Sequence, residues 1–304
     1  MLTMLVRTTA GAFLLAASAA FAAEPAKQPE TPSNGPKHTL RYKFQPGQTL
    51  RWEVTHRARV ETTVSGTTQT ADTQTTSVKV WRVTAVAPDG SATFEHSVES
   101  VDMRQKLSGR METHYNSRTD KTPPVGFETV AKSIGVPLST ITLDPLGKIV
   151  KRQTAKPKPG GEHEGQITIP LPEEAVPVGH TWSFPYEIDV PTNAGTIKKV
   201  KTLQSFTLEE VKDGVATIRV ATQVLTPIHD PALEVQLVQR EATGTVRFEI
   251  GSGRVVEQQM EVDKQVVGFS GPASSLHYRT RFTEKYLEEA KAGEKTAARS
   301  ADAK

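Results

Sequence analysis

Apolar side chains recur at every second position along most of this chain, a period that fits β-strands with one buried face and fits little else. Leu40, Tyr42 and Phe44 alternate with polar neighbours, as do Leu50, Trp52 and Val54, and then Ala92, Phe94, His96 and Val98. The clearest run is Trp182, Phe184, Tyr186, Ile188 and Val190, followed by Ala216, Ile218 and Val220. Leu233, Val235 and Leu237, then Val246, Phe248 and Ile250, then Val256, Met260 and Val262 complete the series. Asp89-Gly90 and Asp213-Gly214 sit between such runs, where a type I′ hairpin turn wants two residues of positive φ. One stretch reads as helix: Phe127, Val130, Ala131 and Ile134 share a helical face, and Gly135 with Pro137 stops it. The expected fold is therefore all-β with one short helix, built as two similar antiparallel, curved-sheet or half-barrel units in tandem.

The tandem reading comes from three blocks that recur in the same order. Pro46–Trp52 resembles Val178–Phe184, Trp81–Phe94 resembles Phe206–Ile218, and Gly147–Val150 resembles Gly253–Val256. The first unit is assigned to residues 39–152 and the second to 167–286. Residues 153–166 join them, since Lys156-Pro157-Lys158-Pro159-Gly160-Gly161 suits neither strand nor helix. The chain has no cysteine, so thiol chemistry, thiolate metal sites and disulfides are all excluded and the core alone must hold the fold.

At the N-terminus, Arg7, the apolar run Gly11–Phe21 and Ala20-Phe21-Ala22 read as a secretory signal over residues 1–22, cleaved between Ala22 and Ala23. The apolar run is too short to span a bilayer, and no transmembrane anchor is expected in the mature chain. Residues 23–38 form a Pro-rich leader and 287–304 a charged tail, both expected to be flexible. The predicted location is periplasmic or extracellular. A formal charge of only +3 gives no reason to expect nucleic acid as a partner.

Catalytic motifs are missing. His163-Glu164 lacks a second histidine at zinc-protease spacing, Gly268-Phe269-Ser270-Gly271 misses the nucleophile-elbow spacing, and His229-Asp230 before Pro231 reads as a turn. The eight histidines are scattered, with no two at ligand spacing, so no metal site and no cofactor is expected. What remains is aromatic: Trp52, Trp81, Trp182, Phe184 and Tyr186 fall in strands of both units. They either fill a core or line a concave apolar face that receives a lipid or other hydrophobic ligand.

The turn patterns at Pro46–Thr49, Gly147–Val150 and Gly253–Val256 resemble those of a family of uncharacterised bacterial exported proteins with a duplicated β-rich unit, which has no established activity. In architecture the chain also resembles the curved-sheet periplasmic lipoprotein carriers, a likeness that implies an acyl ligand on the concave side. The sequence reading is thus an exported, non-enzymatic protein that binds a hydrophobic ligand. A structural or protein-interaction module of the envelope is the alternative, and a hydrolase with a site invisible in sequence comes third.

Overall fold

The computed structural model describes residues 35–154, 166–192 and 195–288. The chain runs through β1 (Lys37–His38), β2 (Thr49–Val64), β3 (Thr67–Val86), β4 (Ala92–Leu107), β5 (Thr113–Asn116), α1 (Glu128–Ala131), β6 (Ser139–Leu143) and β7 (Ile149–Thr154). It continues through β8 (Val176–Pro177), β9 (Thr181–Pro191), β10 (Ile197–Lys212), β11 (Val215–Val224), α2 (Pro231–Leu237), β12 (Thr243–Glu249), β13 (Arg254–Val267) and β14 (Ser275–Tyr286). The fold is all-β. Among the described residues twelve strands form one sheet, in the order β7-β6-β4-β3-β2-β14-β13-β12-β11-β10-β9, with β5 paired beside β4. A separate two-stranded pair joins β1 to β8.

Two antiparallel meanders meet where β14 pairs with β2 from Ser275↔Thr63 to Tyr286↔Trp52, without a register break. The recurring sequence blocks occupy corresponding places in the two meanders. Before β2, Gly47 donates to Val83 O (3.0 Å) and Val83 donates to Gln48 O (2.9 Å). Before β9, Gly179 and Leu208 repeat both bonds, through Leu208 O (2.7 Å) and His180 O (3.0 Å). Each meander then carries a bulge at the same step, between Val83 and Ala85 in one and between Leu208 and Glu210 in the other. A second bulge follows the turn of the later hairpin of each, at Val150 opposite Thr142/Leu143 and at Val256 opposite Arg247/Phe248. Bulges increase local twist and bend the bulged strand.

The bend brings distant parts of the sheet together. Tyr42 N–H donates to Pro145 O in the β6–β7 turn (2.9 Å), and the next residue, Lys43, donates to Gly253 O in the β12–β13 turn (3.0 Å). Consecutive residues bring those two turns within about 10 Å of each other, although β6 and β13 stand five strand spacings apart, about 24 Å on a flat sheet. The sheet therefore curls around the segment Leu40–Phe44, which lies on its concave side. Close approach at this end requires glycine. A Cβ on Gly147 would sit 2.6 Å from Ile169 O and from the Tyr42 ring, and one on Gly253 would sit 2.5 Å from Arg41 O.

The concave side holds the core. Leu50, Trp52, Trp81, Val83, Ala92, Phe94, Ile141 and Leu143 form one cluster. Phe206, Leu208, Ala216, Ile218, Val246, Phe248 and Val255 form another with Leu40, Tyr42, Ile169 and Leu171. Phe44 packs against both. Near the far ends of the strands, Phe127 packs with Val101 and Tyr115, while Leu233 and Leu237 of α2 pack with Val190 and Val200.

Four local expectations are corrected. Leu233, Val235 and Leu237 belong to helix α2, not to a strand: Leu233 and Leu237 are buried four residues apart, Asp230 caps the helix through Ala232 N–H (2.9 Å), and Pro231 occupies its first turn. Alternation over five residues also fits an i, i+4 pair, and the cap and proline decide the matter. The Asp89-Gly90 turn is not type I′. Asp213 and Gly214 both take positive φ (51° and 77°), but in the other hairpin positive φ falls on Gly90 alone. There Gly90 donates to Ala87 O (2.9 Å), and Pro88 supplies the negative φ of the first corner. Finally, β7 runs to Thr154, so the strand enters the stretch read as a linker; residues 155–165 lie outside the described ones. The predicted helix near Phe127–Ile134 contracts to the four residues of α1.

Candidate functional site on the concave face

Because β2 pairs with β3 and β14 without a break, alternation assigns each side chain to one face. Trp52 faces the core, so Val54, His56, Ala58, Val60 and Thr62 share its face of the sheet. Their partners Glu284, Phe282, Thr280, Tyr278 and Leu276 on β14 do the same, as do Thr73 and Thr75 on β3 and Val262 on β13. Beyond the aromatic core this surface is made mostly of small and apolar groups, with His56, Gln105 and Lys264, the last 2.7 Å from Glu241, as its polar members. It is neither closed nor open: Val54, His56, Ala58, Val60, Thr73, Thr75, Tyr278, Thr280 and Phe282 are all half-buried. Partial burial holds His56 below the ordinary imidazole range and pushes the Tyr278 hydroxyl up.

A polar layer separates this surface from the core. Lys79 Nζ lies 2.5 Å from Glu284 Oε1, and both side chains are largely buried. The ammonium also sits 4.5 Å from the Trp52 ring centre and 4.7 Å from that of Trp81. Two aromatic faces and a carboxylate together stabilise a cation taken out of water, whereas an unpaired buried charge costs several kcal/mol. His96, across from Trp81, completes the layer. Desolvation, reinforced by the Lys79 and Arg152 charges, lowers its pKa to about 4.

The five aromatic candidates separate into two groups. Trp52 and Trp81 are 2% and 3% exposed and pack edge to face 4.9 Å apart, with Trp81 stacked on Phe94 at 4.4 Å. Trp52 Nε1 donates to Val255 O (2.9 Å). The void they share with Tyr42, Phe44 and Val255 measures about 10 Å³, room for one water molecule at most. These two are core. Trp182, Phe184 and Tyr186 lie on the edge strand β9, where Pro185 fits an edge position. All three are half-buried. Trp182 stacks on Phe206 at 5.7 Å and donates to Pro170 O (2.8 Å), while Phe184 and Tyr186 stack on each other at 6.4 Å. The structure thus does not bring the five into one surface.

Sequence reading passed over the half-buried residues of β2 beyond Val54 and those of β14, because Thr, Ala and His interrupt the apolar count. It also passed over Lys79, although Lys79 shares parity with Trp81 and Val83. Ala22 and Ala23, the expected cleavage point, lie outside the described residues. Among the described residues no helix is long and apolar enough to cross a membrane, and no group of three or more His, Asp or Glu gathers as a metal site.

Comparison with protein-family models and with characterised proteins finds no match. Among solved structures the chain is similar to DynF from the dynemicin biosynthesis pathway of Micromonospora chersina. Identity is 7% over 84% of this chain and 92% of that one, with a TM-score of 0.20. A likeness at this level carries no argument about function.

Proposed function

We propose that this is an exported, non-enzymatic binding protein that takes up a lipid or other hydrophobic ligand on the concave face of its sheet. The observation that carries this reading is the continuation of small and apolar side chains along β2 and β14 past the closed core, from Val54 to Thr62 with only His56 between them as a polar ring, and from Phe282 to Leu276. Burying that surface against a hydrocarbon chain would gain about 25 cal/mol per Å². The outer side of the same strands carries Arg57, Arg59, Arg279 and Arg281, so the two faces differ sharply in what they attract. Export is supported by Arg7, the apolar run and Ala20-Phe21-Ala22.

Titration with a fluorescent fatty acid tests the ligand, and native mass spectrometry of protein purified from its own envelope tests occupancy. Val60→Asp should weaken binding at least tenfold while changing stability by less than about 1 kcal/mol, because Val60 is only half-buried. An absence of saturable binding in the wild type, together with no co-purifying lipid mass, would leave the envelope interaction module as the better account.

A further inference from the structure

The outer face of the sheet is organised by opposite charges placed across from one another. Arg82 bonds Glu95, Arg247 lies 3.1 Å from Glu257 and Lys199 lies 3.2 Å from Asp189, each pair directly opposite in register. The seam between the two meanders breaks this rule. There Arg57 faces Arg281 and Arg59 faces Arg279, so four guanidinium groups form a block two strands wide and two rows deep. Like charges directly opposite are destabilising, and with rows about 7 Å apart along each strand the repulsion is shared by all four.

The neighbouring carboxylates neutralise the block unevenly. Arg281 is 2.5 Å from Glu261, Arg59 is 2.7 Å from Glu61 and 3.4 Å from Asp72, and Arg279 is 3.5 Å from Glu61. The Arg57 guanidinium has no ion pair or hydrogen bond among the described residues. The block lines a trough of about 660 Å³, to which Arg104 and Lys106 of β4 add positive charge and Asp72, Glu112, Glu261 and Asp263 add carboxylates at its margins, six cationic side chains against four acidic ones. That volume is in the range of small-molecule sites.

We propose that this trough binds a ligand carrying phosphate ester or phosphoanhydride groups with at least two negative charges, held by Arg57, Arg59, Arg279 and Arg281. Planar guanidinium forks match phosphate oxygens bidentately, and a bound dianion removes the repulsion that the empty seam carries. The four guanidinium groups lie on the opposite face from the hydrophobic surface. The phosphate belongs either to a soluble compound or to a lipid headgroup, and the two are separable by experiment.

Calorimetric titration of the whole protein with tripolyphosphate tests the soluble source, and co-sedimentation with phosphatidylcholine vesicles, with and without phosphatidic acid, tests the headgroup. Arg57→Gln and Arg281→Gln should each weaken binding at least tenfold, while Arg247→Gln, on the same face but in an ordinary ion pair, should leave it within twofold. Arg57→Gln should also raise Tm in the absence of ligand, since it relieves repulsion without breaking an ion pair; a variant that lost binding by misfolding would lower it. Saturable tripolyphosphate binding without vesicle capture assigns a soluble phosphate. Capture that requires phosphatidic acid assigns a headgroup. Binding in neither assay, equal losses in Arg247→Gln, or a fall in Tm for Arg57→Gln overturns the proposal.

Discussion

The two meanders share most of their backbone devices, the bulge at Val78/Lys79 being the first meander's own, but fill their cores differently. Both open with a glycine turn latched onto the second strand, both place a bulge one step further, and both bulge again just after the glycine that meets the Leu40–Phe44 segment. The side chains at matching places are exchanged. The cross-strand pair Leu50↔Trp81 becomes Trp182↔Phe206, so the tryptophan changes strand, and Phe94 gives way to Ile218. Lys79 and His96 of the polar layer correspond to Gln204 and Val220. Core volume can be redistributed between neighbours as long as the total fills the space, whereas a bulge or a close glycine contact sets the direction of the chain and has no local substitute. The curl of the sheet thus rests on the backbone devices, and the chemistry of each half rests on what its core positions carry.

The largest losses are expected at core residues that match in place. Trp81→Ala and Phe206→Ala, at 3% and 0% exposure, should each cost about 3 to 5 kcal/mol. Trp182→Ala, half-buried on an edge strand, should cost clearly less. Urea midpoints rank the three. A Trp182 variant as damaging as the other two would mean that β9 is as tightly packed as the interior strands.

The polar layer predicts a second, smaller asymmetry. His96 is neutral in the folded protein down to about pH 4, while in the unfolded chain it takes up a proton below the ordinary value of 6.5. Between those values the unfolded state binds more protons, so its contribution to stability is complete above pH 6.5 and disappears as the pH falls towards 4. The loss is at most about 3 kcal/mol, and His56, also shifted downward by burial, adds to it in the same direction. His96→Val, which copies the second meander, should flatten the stability profile over this window, as read from Tm against pH. An unchanged slope would show that the imidazole is more accessible than its place beside Trp81 implies.

How far the fold was legible in the sequence follows from the same devices. Alternation revealed the strands, and the paired Gly and Asp-Gly blocks revealed two units with matching turns. The bulges were not visible, because an inserted Thr84 or Glu209 looks like any other polar strand residue. Helix α2 was hidden inside a five-residue alternation, although Asp230-Pro231 carries a helix-start signal. The concave surface was the hardest part to see. It is built from Val54, Ala58, Val60, Tyr278 and Thr280, unremarkable in isolation, and becomes a surface only through the long β2–β14 pairing, which joins residues more than two hundred positions apart.

The smallest expected effect separates the two Asp-Gly turns, which look alike in sequence and differ in backbone. Asp213 holds a φ of 51°, in the left-handed region that costs an L-residue about 1 kcal/mol or more. Asp213→Gly relieves that strain but gives the unfolded chain more freedom, and the two terms, each about 1 kcal/mol, nearly cancel. Asp89 carries no such strain, and its carboxylate accepts from Ser91 N–H (2.9 Å) and Ser91 Oγ (3.1 Å). Asp89→Gly therefore loses those bonds and adds the entropic cost, so it should destabilise by about 1 to 2 kcal/mol. The same substitution is thus close to neutral in one meander and harmful in the other. Equal shifts in the two urea midpoints would show that the turns are interchangeable and that Pro88 does not set the geometry of its hairpin.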